Sequence, residues 1–442
     1  VYTLTIVYKN VEEDQSDDMN KKFEGKVNIV DLRADADKIN PYSSNKNALN
    51  YQIINNALNG GTNKTTYGSE ITTFTSVSGE NERVLNTAPD DYGTSYYYRG
   101  NVLDNYVTFA DKTWRIVRIN GDGSIRLVLD DVAKDSSGNI ITTAFNSSYE
   151  DNAYIGYMYV KTGQTDTNLN QCIKPNSAGT IAEVDSTKKT QNDCEAAGYK
   201  WATTPYDATH VNVVSSTIKV SLENWYKTNI LDTNNSSYLA DTLFCNDKTI
   251  APGTIGMNNS LKGYNNNLTF YSVSGRLLFS NGTTGITISK PTLECAKGAG
   301  NTYSRFTSSS TVTSKGIKVN SDLTYPVGLL TADEASYAGA YKVNQTNKTY
   351  YLYNSSVTAN TWFLSPRSFD AFRAQNTYYY TSNNALMVSY VGNSTNFSYR
   401  PSINLKADVL LSGGNGTKEN PYTVKLSWYD KKTLWSFYID FI

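Results

Sequence analysis

Residues Tyr92–Asp131 read YGTSYYYRGNVLDNYVTFADKTWRIVRINGDGSIRLVLDD, and within them two strand-forming runs flank a turn-forming one. Thr113–Ile119 and Ser124–Leu129 are rich in β-branched and large apolar residues, whereas Asn120-Gly121-Asp122-Gly123 supplies turn formers in succession. The pattern predicts a β-hairpin, the first of a large β-rich domain. Period-two alternation puts Trp114 and Ile116 on one face of the first strand and Ile125, Leu127 and Leu129 on one face of its partner. Arg118 falls on the face of Trp114. An unpaired buried charge is costly, so Arg118 is expected at the sheet end or against a carboxylate.

Composition extends this reading outward. The chain has 442 residues, 39% hydrophobic and only 18% charged, and its polarity comes from Asn, Thr, Ser and 35 Tyr. Such usage fits an exported, β-rich protein. Lys plus Arg number 40 against 41 acidic residues, so there is no basic excess to hold a phosphate backbone, and nucleic acid is not expected as a partner. No apolar run reaches the ~18 to 20 residues that span a bilayer. The start at Val1 is what removal of a signal segment would leave, and an extracellular or cell-surface location is expected. The Asn-x-Ser/Thr triplets, such as Asn63-Lys64-Thr65, are read as chance in a chain this rich in Asn and Thr.

Seven blocks carry a resemblance: YYYRGNV, NYVTFADKTWRIVRINGDGSIRLVL, LADTLFCND, YPVGLLTADEASYAGA, TWFLSPRS, YRPSINLKADV and GNGTKENPY, in order from about Tyr92 to Tyr422. Together they resemble a family of uncharacterised surface proteins of Gram-positive, mostly gut-dwelling bacteria. The resemblance implies a secreted or membrane-tethered protein. It also implies a mixed α/β domain similar to C-type lectin-like and formylglycine-generating-enzyme-like folds. The chain departs from the family pattern at Trp362-Phe363, where a second Trp is expected, and at Pro366-Arg367, where the order of the basic residue differs.

The expected fold is α+β and β-dominated: a C-type lectin-like mixed domain with a disulfide-stapled insertion and terminal β-strands. Residues 1–34 are read as an N-terminal strand (Val1–Lys9), an acidic linker (Val11–Lys22) and a short strand (Val27–Leu32). Residues 35–95 hold a helix, where Leu49, Ile53 and Ala57 recur at helical spacing before a left-handed glycine cap at Gly60-Gly61, and then an irregular passage packed on the main domain. The main domain spans 96–422, with the insertion at 146–210, and 423–442 form a C-terminal hairpin of Thr423–Trp428 and Leu434–Phe441. Inside the main domain, Ser216 caps a helix running to Ile230, Tyr238–Phe244 suggests another short helix, and Thr331-Ala332-Asp333-Glu334 is a capping box. Further strands are expected at Tyr325–Leu330, Thr349–Tyr353, Thr361–Leu364, Ala385–Val391 and Ser402–Leu405.

Cys172, Cys194, Cys245 and Cys295 are the four cysteines. They contain no Cys-x-x-Cys and meet a single histidine, so neither a metal site nor any cofactor is expected. Four cysteines allow three connectivities. Sequence order favours Cys172–Cys194 and Cys245–Cys295, each worth roughly 3 to 4 kcal/mol by loop closure.

Catalytic arrangements weigh little. A triad would need His210, which sits among Tyr206, Asp207, Ala208 and Thr209 without a signature. The acid pairs Asp90-Asp91, Asp130-Asp131 and Asp333-Glu334 could serve general acid–base chemistry or calcium, but adjacent acids arise by chance and Glu334 already has a capping role. Asn120-Gly121-Asp122-Gly123 lacks the alternate ligands and closing Glu of a calcium loop. Aromatic clusters weigh more: Tyr96-Tyr97-Tyr98, Tyr350-Tyr351 with Tyr353, and above all Tyr378, Tyr379 and Tyr380 beside Asn376, Asn383 and Asn384, within Phe369–Phe397. Flat rings with amide donors stack on sugars or on proteins, and this group is the expected ligand-binding site.

The function these features favour is non-catalytic: an extracellular surface adhesion or structural protein with a protein or glycan surface ligand. A fibre subunit self-associating into a filament by strand addition is one form of it, with Val1–Lys9 as the donated strand. A carbohydrate-binding lectin-like module is the second reading and an enzyme of unrecognised type the third.

Overall fold

A computed structural model describes residues 45–60, 64–71, 75–77, 79–147, 171–175, 182–202, 215–249, 269–277, 290–295, 304–309, 319–340, 346–369, 374–382 and 385–427. The chain divides into two compact units, Val1–Ala34 and Asp35–Ile442. The whole first unit, with the strands and linker expected there, lies outside the described residues. Everything below belongs to the second, which is β-dominated with a few short helices and two disulfides.

Helix α1 (Leu49–Leu58) buries Leu49, Ile53, Ile54 and Ala57, the apolar positions that helical spacing groups on one side. Its end differs from the left-handed glycine cap: Asn59, with φ −99°, closes the last turn. Gly60 is required for close approach instead, since a Cβ there would lie 2.5 Å from the Thr65 carbonyl oxygen.

The polar passage before Asp91 is more regular than its composition suggests. After β1 (Thr66–Tyr67) it supplies β2 (Arg83–Asp90), which pairs along its whole length with β3 (Gly93–Gly100). The hairpin expected from Thr113 onward is therefore preceded by another. It consists of β5 (Lys112–Ile119) and β6 (Ile125–Leu129), after the short β4 (Tyr106–Phe109). Strand β5 is the branch point of a ten-stranded sheet. One of its edges pairs with β6, and the other is divided between β4 at Lys112–Arg115 and β3 at Arg118 and Ile119. Every residue from Trp114 to Ile119 is consequently buried, including both arginines. The Trp114 indole donates to the Phe109 carbonyl at 2.9 Å and meets Trp225 edge-on.

In the expected insertion, β7 (Gln171–Pro175), β8 (Ala182–Val184) and β9 (Lys200–Ala202) make a three-stranded sheet beside α2 (Gln191–Ala196). The Cys172–Cys194 bridge joins β7 to α2. Helix α3 (Thr217–Tyr226) starts where the Ser216 hydroxyl accepts the Lys219 N–H, and it buries Ile218, Leu222, Trp225 and Tyr226. The helix suggested at Tyr238–Phe244 does not form. Tyr238 closes a single 3-10 turn from Ser236; Leu239 then bridges Leu405 and the Ala240 N–H donates to the Asn404 carbonyl, so tertiary pairing takes the chain out of helix ahead of β10 (Phe244–Cys245).

Beyond it come β11 (Thr269–Phe270), α4 (Ser272–Arg276), β12 (Arg305–Phe306), β13 (Val327–Gly328) and α5 (Ala332–Ala335). Strand β12 pairs with β10, and the second bridge, Cys245–Cys295, starts from β10. The capping box opens α5 as its sequence requires, and Gly339, at φ +138°, ends the turn that follows. Thr349–Tyr353, expected as a strand, is a turn that buries Tyr350, Tyr351 and Leu352.

A five-stranded sheet follows, built from β14 (Asn360–Phe369), β15 (Ala374–Tyr380), β16 (Ala385–Tyr390) and β17 (Phe397–Ser398) together with β11. The chain then returns to the main sheet as β18 (Ser402–Leu405), which joins β6 to β13, and as β19 (Leu410–Gly413) and β20 (Tyr422–Lys425). Strand β20 pairs with β19 and runs parallel to β4. Thr423–Lys425 thus complete the main sheet rather than opening a separate terminal hairpin, whose partner at Leu434–Phe441 lies outside the described residues. No helix among the described residues is long and apolar enough to cross a membrane.

Candidate functional site

The expected ligand site falls on β15, between β14 and β16. Tyr378 is 8% exposed and packs on Trp362 and Phe397, with ring centroids 5.8 and 4.8 Å away. Tyr379 points to the opposite face, as alternation requires, and is 5% exposed. It lines a cavity of about 20 Å³ with Tyr350, Leu352, Thr361 and Arg400, room for a single water. Asn376 is fully buried, and its amide donates to the Phe363 carbonyl at 2.6 Å. Tyr380 alone of the three tyrosines is half-buried, and Asn383 and Asn384 lie outside the described residues.

These positions are a core, which corrects the assignment of Asn376, Tyr378 and Tyr379 to a ligand-facing surface. The physical reason lies in β14, where Pro366 has no N–H to give the ladder. The register shifts on both sides of Pro366, and Asn376 and Thr377 satisfy the Phe363 and Ser365 carbonyls from the neighbouring strand. The residues that look like amide donors for a ligand thus repair a bulge.

Two of the three acid pairs, Asp90-Asp91 and Asp333-Glu334, are buried as well. Asp90 ends β2 and accepts from the backbone N–H groups of Tyr92, Gly93 and Gly121, closing two turns at once. Its second oxygen also takes the Arg118 guanidinium at 2.8 Å. Glu334 accepts from Arg118 at 3.1 Å and from Arg126 at 2.9 Å through one oxygen, and from the Thr331 N–H through the other. Arg126 also donates to the Leu243 carbonyl and to Asn404. Burial alone would raise the Glu334 carboxyl, but Arg126, Arg118 and the Thr331 N–H outweigh it and hold the group below its ordinary range.

Asp333, next in sequence to Glu334, serves another cation. It binds Arg276 through both oxygens, at 2.8 and 3.0 Å, while Asp247 accepts from the same guanidinium at 3.0 Å. Asp130 lies 4.0 Å from Arg115 and 3.9 Å from Arg400, and Asp131 pairs with Lys134 at the surface. In the Asn120-Gly121-Asp122-Gly123 loop Asp122 accepts from the Ser124 N–H, the hydrogen bond of a tight turn. His210 lies outside the described residues.

General acid–base hydrolysis needs one carboxyl that keeps its proton beside one that does not, across a gap that a substrate can enter. Asp90, Asp333 and Glu334 are instead ionic acceptors bound to arginines. Asp91 is the exception. Burial pushes its carboxyl up to about 6, against the pull of the Cys295 N–H, and Asp90 adds to the rise. One Asp91 oxygen and both sulfurs of Cys245 and Cys295 lie within 4.8 Å of one another, the one such cluster found among the described residues. The sulfurs are joined as a disulfide and offer no thiolate to a metal.

The sequence leaves Arg118 at the sheet end or against a carboxylate, and it lies against two, Asp90 and Glu334, whereas buried Arg115 and Arg126 are not singled out by the sequence. Arg115 lies over the Tyr106 ring at 3.7 Å and donates to Asn105 and Val102. The signal was present in Ile125-Arg126-Leu127, a cation inside an unbroken apolar run. No family model, curated protein or solved structure matches the chain.

Proposed function

We propose that the protein is a non-catalytic extracellular surface protein with an adhesive or structural role. The observation that carries this reading is the use of Asp90, Asp333 and Glu334 as counter-ions that fasten strands and helices to buried arginines. Groups committed in this way stiffen a body without offering it chemistry. Two disulfides support export, because such bridges persist in oxidising compartments. The C-type lectin-like relation belongs to the same proposal, supported by a β-rich body whose long connections are stapled by bridges. The partner is a protein or glycan at the cell surface, or further copies of the chain in a filament. Burial of Tyr378 and Tyr379 removes the residues that best supported a sugar-stacking site, so the adhesive or structural reading stands ahead of the lectin one.

Immunogold electron microscopy of native cells, with antibody raised against this chain, tests the proposal. Gold on a surface coat or on fibres is the expected result. Gold confined to the cell interior would refute it.

A further inference from the structure

The two disulfides sit in different chemical settings. Cys172 and Cys194 are both fully buried, whereas Cys295 is buried and Cys245 partly exposed. The second bridge lies among Tyr92, Leu243 and Val319, an apolar pocket in which a departing thiolate would be poorly solvated. Asp91 is placed against that bridge. One of its oxygens accepts the Cys295 N–H at 2.7 Å, while Oδ1, in a residue only 7% exposed, has no hydrogen-bond partner among the described residues.

We propose that Cys245–Cys295 is a thiol–disulfide exchange site in which Asp91 supplies a proton to the departing Cys295 sulfur, its co-reactant being an external thiol. The thiolate attacks Sγ of Cys245, the partly exposed residue of the pair, the S–S bond breaks, and its electron pair passes to Cys295 Sγ. That sulfur takes the proton from Asp91, leaving a carboxylate. A second external thiol then attacks the mixed disulfide at the external sulfur and releases Cys245 as a thiol. Two external thiols are oxidised to one disulfide, and the protein bridge is reduced to two thiols.

The groups that set the charge on Asp91 are Asp90, its chain neighbour, Glu294, beside Cys295, and Arg305 of β12. Arg118 of β5 also feels the Asp91 charge. Burial holds the Asp91 proton up to about pH 6, so the donor is loaded in mildly acidic solution and empty in alkaline solution. The Cys172–Cys194 bridge has no carboxylate in an equivalent cluster among the described residues.

The intact protein and Asp91→Asn, which preserves an acceptor for the Cys295 N–H, are treated with dithiothreitol at pH 5 and pH 8. Alkylation and peptide mapping by mass spectrometry then follow each bridge separately. In the wild type Cys245–Cys295 should open first at both pH values. The substitution should slow that opening roughly tenfold at pH 5, a modest share of what general acid catalysis supplies, and should not slow it at pH 8. Earlier or equal opening of Cys172–Cys194 in the wild type would overturn the proposal without reference to any variant. So would an Asp91→Asn effect that is absent at pH 5 or equal at the two pH values.

Discussion

Arg118 and Glu334, 216 residues apart in the chain, meet at 3.1 Å in the interior of the protein. Glu334 sits in the first turn of α5 and Arg118 near the end of β5, so the pair ties the late helix to the branch point of the main sheet. Arg126 joins from β6 and Asp90 from β2, and Asp90 also closes the neighbouring turns. A buried pair of this kind gains little over an apolar replacement, but removing one member leaves an uncompensated charge. The cluster is therefore a point at which single substitutions should be costly.

Trp362 stacks on Phe397 with centroids 4.4 Å apart and donates its indole N–H to the Thr143 carbonyl. Trp362→Ala should lower the unfolding free energy by roughly 3 to 5 kcal/mol, the range for deletion of a buried aromatic. Urea denaturation followed by tyrosine fluorescence measures it.

Tyr378→Ala and Tyr379→Ala should each destabilise on the scale of about 3 kcal/mol, as core truncations on opposite faces of β15. Tyr380→Ala, at a half-buried position, should cost less. Thermal melts of the three single variants rank them. A Tyr380 variant less stable than the other two would contradict the packing described.

Stability should depend on pH through two groups of opposite sign. Glu334 is held below its ordinary range, so its contribution is present above that range and is lost as pH falls through the folded-state value. Asp91 is pushed up from 3.8 to about 6, so its contribution is present in acid and is lost as pH rises through 6. Asp91→Asn should therefore gain on the wild type between pH 4 and pH 6, levelling off at roughly 3 kcal/mol above that window. Urea titrations at pH 3.5, pH 5 and pH 7 check both the sign and the window.

The elements read correctly from the sequence are those in which local and tertiary preferences agree. Ser216 caps α3, the Thr331–Glu334 box opens α5, Asn120–Gly123 turn between β5 and β6, and Ser402–Leu405 form β18. The misread elements are those in which a distant strand decides. Leu239 and Ala240 are extended because β18 offers them partners, and Arg83–Asp90 are regular because β3 pairs with them along their length. The ligand site was misread for a related reason. Asn376 and Tyr378 have the composition of a binding surface, but only the bulge at Pro366 and the cover supplied by Trp362 and Phe397 reveal them as interior. The ion cluster draws its members from β2, β5, β6 and α5, a spread that one-dimensional spacing does not show.

The claim that the acid pairs are structural counter-ions is tested most directly at Glu334. Glu334→Gln keeps the shape of the side chain while leaving Arg118 and Arg126 without their shared anion. Equilibrium urea unfolding at pH 7 should show a loss of roughly 3 to 5 kcal/mol, the range for breaking a buried ion pair on one side. A variant within about 0.5 kcal/mol of the wild type, the usual scale of a surface substitution, would contradict the account.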